Sequence, residues 1–484
     1  MLINLIDLQK QNGDEPIYRQ ITHQVVDLIK KQIIKPGYKL PGTRKLATEL
    51  GINRQTVISA LDQLVIEGWL ESIPGKGTFV CKTFNRAPEV FELQESMMNR
   101  APVHVIPSSL QRDLHLTKQK YHLDDGLPDP RLAPTAELAR AYKSYLTKGN
   151  VYPRFTYGDT KGHLYLREAL CQYLLESRAM NLIPDQIIIT RGVTQALYLC
   201  IKGFLQPGDK VAVGELNWES ANANFHYHGM ELIKVKVDEQ GLDTEHLADL
   251  MAKYEIKMVY LTPHHQYPTT VIMPAARRLK LIQLAREHNC YVFEDDYDYD
   301  FYYSANPVMP LASAEHGDFV LYAGSFTKAI SPVFRVGYLV ANPNQIDYLS
   351  RIRRMIDRQG DALLELAIAE MLNIGIIQRY LNRNRRIYQQ RRDFFADQLI
   401  THLADYVDFK KPQGGMSIWT HFDSSINLRK LYEQALRHDL YIPSGEQISQ
   451  GNHKLNVTRL GYASSTEEEL EESVKILRRL ITNL

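Results

Sequence analysis

In the stretch "YAGSFTKAISPVFRVGYLV", Ser325, Lys328 and Arg335 lie together between two apolar runs. A lysine is most often a solvated surface residue, so Lys328 alone says little. A desolvated lysine amine can form a Schiff base with an aldehyde, and a hydroxyl and a guanidinium beside it can hold a phosphate. In "EDDYDYDF", Asp295 and Tyr297 share one side of an extended segment, although an acidic loop would give the same pattern. In "RGVTQALYL" a glycine turn opens a helix, where the backbone N–H groups of Gly192, Val193 and Thr194 could bind phosphate. A Schiff-base lysine, a carboxylate for a pyridine nitrogen and a set of phosphate donors together describe a site for pyridoxal 5'-phosphate. The carboxylate matters because a paired pyridinium stays protonated and draws electrons from the imine.

These residues need a frame that brings them to one place. The apolar runs "QIIIT", "KVAVG", "LIKVKV", "KMVYLTP", "CYVFEDD", "FVLYAGSF" and "RVGYLVA" alternate with helical stretches such as "ARRLKLIQLAREH". That alternation predicts a largely parallel sheet covered on both faces, an α/β domain over residues 121–484. The glycine turn, the acidic stretch and Lys328 each follow the end of such a run, where open α/β sheets bind ligands.

The first 82 residues predict something different. "PIYRQITHQVVDLIKKQII" places Ile17, Ile21, Val25, Leu28 and Ile29 on one helical face, and "KPGYKLPG" stops it. A short helix "TRKLATEL" ends at Gly51, and a third begins after Asn53 as N-cap, with Val57, Leu61, Leu64 and Val65 facing inward. Two short helices around "GIN" have the dimensions of a helix-turn-helix, whose second helix would present Arg54, Gln55 and Thr56 to base edges. "WLESIPGKGTFV" reads as two strands around a turn, a wing that carries Lys76 toward a phosphate or the minor groove. A small helical domain with a solvated basic face is the plainer alternative. Residues 83–120 hold Pro88, Pro102 and Pro107 and no sustained periodicity, as an interdomain connection should.

At 484 residues and a formal net charge of +1, any nucleic-acid contact must come from a local basic surface and not from bulk charge. Cys81, Cys171, Cys200 and Cys290 form no CxxC pair, which argues against a zinc site and a disulfide framework; no metal is expected, and a reducing cytoplasm fits best. The start "MLINLIDLQKQNGDEP" lacks the features of a signal peptide and no run approaches membrane-spanning length, so a soluble cytoplasmic protein without membrane contact is expected.

The N-terminal stretch "KLPGTRKLATELGINRQTVISALDQLVIEGWLESIPGKGTFV" resembles the winged helix-turn-helix of GntR-family bacterial regulators. The motifs "YHLDDGLPDPRLAP", "YGDTKGHLYLREAL", "LTPHHQYPTTVIMP", "VFEDDYD", "GSFTKAISPVFRVGYLV" and "RLGYAS" resemble the fold-type I aminotransferase domain of MocR-type regulators, the GabR-like branch of that family. The resemblance implies a winged helix joined to a pyridoxal-phosphate transferase fold with a small C-terminal α+β subdomain. It implies that Lys328 carries the cofactor, Asp295 pairs with its pyridine nitrogen and Tyr297 with its phenolic oxygen, while Ser325, Arg335 and the turn Gly192 to Thr194 hold its phosphate. Tyr157 would reach the phosphate from the other subunit of a homodimer. Trp218 would stack on the cofactor, though a core tryptophan would look the same, and Arg459 would grip an amino acid's carboxylate. Arg44, Asn53, Arg54, Gln55, Thr56 and Lys76 would face an operator in double-stranded DNA.

The departures from the family pattern are specific. Gly42 stands where many members carry serine; Tyr267 and Thr270 replace the asparagine and glycine of "NPTG"; and Ser220 stands where a γ-aminobutyrate-binding member has a second arginine. The expected protein is a regulator sensing an amine, an amino acid or pyridoxal phosphate itself. A working aminotransferase with an attached DNA-binding segment, or a GntR repressor with a cofactor-free domain, are the rival readings.

Overall fold

The structure is a computed structural model describing residues 5–8, 15–82, 118–150, 152–304, 307–314, 316, 318–445 and 455–483. The chain divides into two compact units, Met1–Val105 and Ile106–Leu484. The expected connection over 83–120 lies outside the described residues up to 117.

In the first unit, helices α1 (Ile17–Lys30), α2 (Thr43–Leu50) and α3 (Arg54–Ile66) precede strands β1 (Leu70–Ile73) and β2 (Gly77–Val80). Ile21, Val25, Leu28 and Ile29 of α1 pack with Leu46 and Leu50 of α2 and with Val57, Leu61 and Leu64 of α3. Helix α1 ends four residues earlier than the apolar periodicity suggests. Gln32 adopts a left-handed φ of 54°, and the N–H groups of Ile33 and Ile34 both donate to the Leu28 carbonyl, which turns Ile34 into the core. Gly51, at φ 62°, makes the left-handed C-cap that lets α3 start three residues later. The Asn53 side chain accepts the Gln55 backbone N–H at 2.8 Å, so this residue is indeed the N-cap of α3.

In the second unit all seven apolar runs become strands of one sheet: β3 (Ile187–Thr190), β4 (Lys210–Gly214), β5 (Glu231–Val235), β6 (Ile256–Leu261), β7 (Tyr291–Asp296), β8 (Val320–Ser325) and β9 (Gly337–Val340). Their spatial order is β3-β9-β8-β7-β6-β4-β5. Pairings are parallel except for β9, which runs antiparallel to both its neighbours and so makes the sheet mixed. The period-two alternation of side chains explains the double covering. Val211, Val213 and Met258 pack under the helices Val193–Phe204 and Glu219–Tyr227, whereas Ala212 and Val259 face Leu247, Leu281 and Leu284 on the other side. A separate antiparallel sheet, β10 (Val407–Phe409), β11 (Ser417–Phe422) and β12 (Val457–Gly461), forms the C-terminal α+β part with the helix Glu467–Thr482. No helix among the described residues is long and apolar enough to cross a membrane.

Candidate functional site

A cavity of about 200 Å³ opens at the C-terminal ends of the parallel strands. It is lined by Val193, Thr194, Trp218, Asp295, Tyr297, Ser325, Lys328, Arg335 and Arg459, all expected from sequence, and by Asp125, Tyr260, Thr262, Tyr267 and Thr327, which were not. Residues separated by more than 300 positions therefore meet in one place. Tyr157 is not among the lining residues; it is 75% exposed, with the Arg358 guanidinium 4.0 Å from its ring centroid.

The acidic stretch is not a solvated loop, because β7 runs through it. Alternation sends Glu294 and Asp296 to the face opposite Asp295. There Glu294 accepts the backbone N–H groups of Leu311 and Ala312 at 2.9 and 3.0 Å, and Asp296 meets Arg178 and the Tyr322 hydroxyl. Burial pushes both carboxyls up, to about 7 for Glu294 and about 6 for Asp296. Asp295 faces the cavity. The Tyr260 hydroxyl, on the neighbouring strand β6, donates to its Oδ2 at 2.6 Å, while its buried Oδ1 has no hydrogen-bond partner among the described residues. Burial raises the Asp295 carboxyl to about 7, against the opposing effect of the Tyr260 hydrogen bond. Tyr297 donates from its hydroxyl to the His265 carbonyl at 3.0 Å.

Just beyond β8, Ser325 Oγ accepts the Thr327 backbone N–H at 3.0 Å and donates to Thr327 Oγ1 at 2.7 Å, a hydroxyl turn that carries the chain into Lys328. Lys328 Nζ donates to the Gly126 carbonyl. Desolvation lowers its pKa, against the carboxylates of Asp125 and Asp124. Arg335 has a left-handed φ of 50° and donates to the Arg191 carbonyl at 2.7 Å. Its guanidinium lies close to Gly192, the N-cap of the helix Val193–Phe204, where an added Cβ would come within 3.0 Å of a guanidinium nitrogen and the backbone φ is 85°. The left-handed φ disfavours a side chain at 192, and a Cβ there would press on the Arg335 guanidinium, so glycine keeps the helix N-terminus bare.

On the far wall, Arg459 projects from β12 and is only 3% exposed. Its Nε stands 2.6 Å from Asp125 Oδ1, and its guanidinium lies 4.6 Å from the Tyr267 ring centroid. The Tyr267 hydroxyl donates to Asp125 Oδ2 at 3.0 Å. Burial opposes the charge of Arg459, but Asp125 together with Tyr297 and Tyr267 offsets it and the pKa rises. Tyr260 was legible only as a strand residue, and Asp125 only as part of "DDGLPDP"; neither has a spacing that announces its partner.

In the first unit, Arg44, Asn53, Arg54, Gln55 and Lys76 are exposed and Thr56 is half-buried. Arg54 Nε donates to Thr43 Oγ1 at 3.3 Å, which links the start of α3 to that of α2. Gly42 caps α2 without a side-chain hydrogen bond, and a Cβ there would meet nothing within 4 Å, so no steric reason for the missing serine is visible.

The family model for aminotransferase class I and II matches residues 128–477. The chain belongs to this aminotransferase family. The model for bacterial regulatory proteins of the GntR family matches residues 17–80, so the chain joins a GntR helix-turn-helix to an aminotransferase domain. An uncharacterized HTH-type transcriptional regulator of Bacillus subtilis, YdfD, is 29% identical over 98% of both chains. The HTH-type pyridoxine biosynthesis transcriptional regulator PdxR of Corynebacterium glutamicum is 30% identical over 80% of each. Among solved structures, a Pyrococcus horikoshii kynurenine aminotransferase in complex with PMP is 28% identical, with a TM-score of 0.69 over 76% of this chain and 92% of that one. The α-aminoadipate aminotransferase LysN of Thermus thermophilus, complexed with N-(5'-phosphopyridoxyl)-L-leucine, is 27% identical at the same TM-score, over 75% and 92%. The arrangement is that of MocR/GabR-type regulators, with a DNA-binding GntR domain and an aminotransferase-like domain.

Proposed function

We propose that this aminotransferase-family regulator is a homodimer that holds pyridoxal 5'-phosphate on Lys328 and changes its affinity for an operator according to the cofactor and the amine or amino acid bound there. The observation that carries this reading is Asp295: a buried carboxylate with one oxygen held by Tyr260 and the other without a partner among the described residues, on the wall of the cavity that also contains Lys328. A buried acceptor left unpaired is costly, and a pyridinium N–H is a donor of the charge and shape that would satisfy it.

The residues fit that cofactor in further respects. Ser325, Arg335 and the N-terminus at Val193 and Thr194 would bind its phosphate; Tyr297 would donate to its phenolic oxygen; Trp218 would cover a ring face. When bound, the cofactor supplies an electrophilic aldehyde and an electron-withdrawing pyridinium. Lys328, with its pKa lowered by burial, would hold a larger share of the neutral nucleophilic amine. The dimer draws support from exposed apolar residues: Tyr157, 75% exposed, stacks with Arg358, Met355 is 81% exposed, and Val333, at 79%, shares a groove with Arg335 and Arg353. On DNA, Arg54, Gln55 and Thr56 would read bases, whereas Arg44, Asn53 and Lys76 would hold phosphates.

Ligand and operator would couple because each favours one of two arrangements of the dimer. The rival reading, a working aminotransferase, has the fold in its favour but meets Tyr267 where the family's enzymes carry asparagine. Steady-state turnover with common amino-acid and keto-acid pairs, measured beside operator binding to genomic fragments, separates the two. Regulation predicts slow or absent turnover and ligand-dependent operator affinity. Rapid turnover with an operator affinity indifferent to every ligand would favour the enzyme.

A further inference from the structure

Asp125 is not explained by cofactor binding. Its carboxylate sits 2.6 Å from the Arg459 guanidinium and accepts the Tyr267 hydroxyl at 3.0 Å. Arg459 is the cavity's buried cation on that wall, and its side chain is 3% exposed, whereas that of Asp125 is 46% exposed. Asp125 faces the guanidinium at Nε while Nη1 donates to the Pro268 carbonyl at 3.3 Å, so a second carboxylate brought to this cation meets Asp125 as its close neighbour. An incoming amino acid would either place its carboxylate beside that of Asp125, where like charges repel, or displace Asp125 from both its partners. An amine without a carboxylate meets neither cost. Its ammonium also gains from the negative charge of Asp125, which lines the same cavity as Lys328.

We propose that Asp125 is a built-in occupant of the carboxylate position at Arg459, so that the site takes amines lacking an α-carboxylate in preference to amino acids. The inference rests on the cavity being the pyridoxal phosphate and effector site, and it names the ligand class of that site. Asp125 is then a specificity-determining residue, and Tyr267 positions it by donating to its second oxygen.

The test uses the full-length chain and a matched pair of ligands, L-leucine and 3-methylbutylamine, which differ only in the α-carboxylate. Calorimetric titration of cofactor-loaded protein gives the ratio of their affinities for the parent, for Asp125→Asn and for Asp125→Ser. A second arm titrates cofactor-free protein with 4-methylpentanoate, which carries the carboxylate and no amine. The parent should prefer the amine. Each variant should shift the ratio toward leucine by about tenfold or more and bind 4-methylpentanoate more tightly by a similar factor, as removal of a close like charge requires. A ratio in the parent that favours leucine, left unchanged by both substitutions, overturns the inference while leaving the cofactor reading intact. Failure of the parent to load cofactor overturns both.

Discussion

Replacing Asp295 by asparagine should make the empty protein more stable at alkaline pH and at the same time weaken its hold on pyridoxal phosphate. Burial raises the Asp295 carboxyl from an ordinary value near 4 to about 7. In the unfolded chain the group ionises near pH 4, so between pH 4 and 7 the unfolded state has lost a proton that the folded state keeps. Stability from this group is complete below pH 4, falls as pH rises toward 7, and stays low above it. About three pH units at about 1.4 kcal/mol each give roughly 4 kcal/mol as the full span, reduced by whatever water enters the cavity. The asparagine variant has no such group, while Asp296, which repels the Asp295 charge, titrates slightly lower in the variant and adds to its advantage above pH 6. Calorimetric unfolding of cofactor-free parent and variant should therefore give stabilities within about 1 kcal/mol of each other near pH 4.5 and a variant more stable by up to about 4 kcal/mol at pH 8. The same variant should bind pyridoxal phosphate less tightly by about 1.5 to 3 kcal/mol, because a neutral amide loses a charge-assisted hydrogen bond. Parallel stability curves across this range would show that Asp295 is not desolvated, and unchanged cofactor affinity would remove it from the site.

Other perturbations separate the parts of the account. Lys328→Ala should abolish pyridoxal phosphate that borohydride can fix covalently to the chain, as read by mass spectrometry; fixation at the parent's level would place the attachment on another residue. Arg54→Ala should cost roughly 1 to 3 kcal/mol at the operator if it makes a bidentate base contact, and relax preference at one position. Lys76→Ala should weaken all sequences alike and flatten the dependence on salt, so fluorescence anisotropy at several salt concentrations distinguishes the two roles. Equal operator binding by both variants and the parent would contradict the winged-helix assignment.

Much of this was legible in the sequence because period and punctuation are local properties. Each of the seven apolar runs became a strand within a residue or two, and Gly51 and Asn53 bounded the second and third helices as their types suggested. Where sequence and structure part, tertiary contact decides: α1 yields its last turn because Ile34 is wanted in the core. The alternation in "EDDYDYDF" set Asp295 apart from Glu294 and Asp296, but their partners were not legible, since the sequence cannot show which strand face meets Arg178 and which meets Tyr260. Lys328, Asp295 and Arg459 could be collected in advance because each stands in a motif or at the end of a strand. The contact of Asp125 with Arg459 could not, because it joins residues 334 positions apart through side chains alone.

The central claim, that the cavity and the DNA-binding domain share one equilibrium, is tested most directly by closing a thermodynamic cycle. Operator affinity is measured by fluorescence anisotropy with cofactor-loaded and cofactor-free protein, and pyridoxal phosphate affinity is measured with and without saturating operator. The two ratios should be equal and correspond to a coupling of about 1 to 3 kcal/mol, roughly 5- to 150-fold. Ratios of one on both sides, in protein that demonstrably loads cofactor on Lys328, would contradict it.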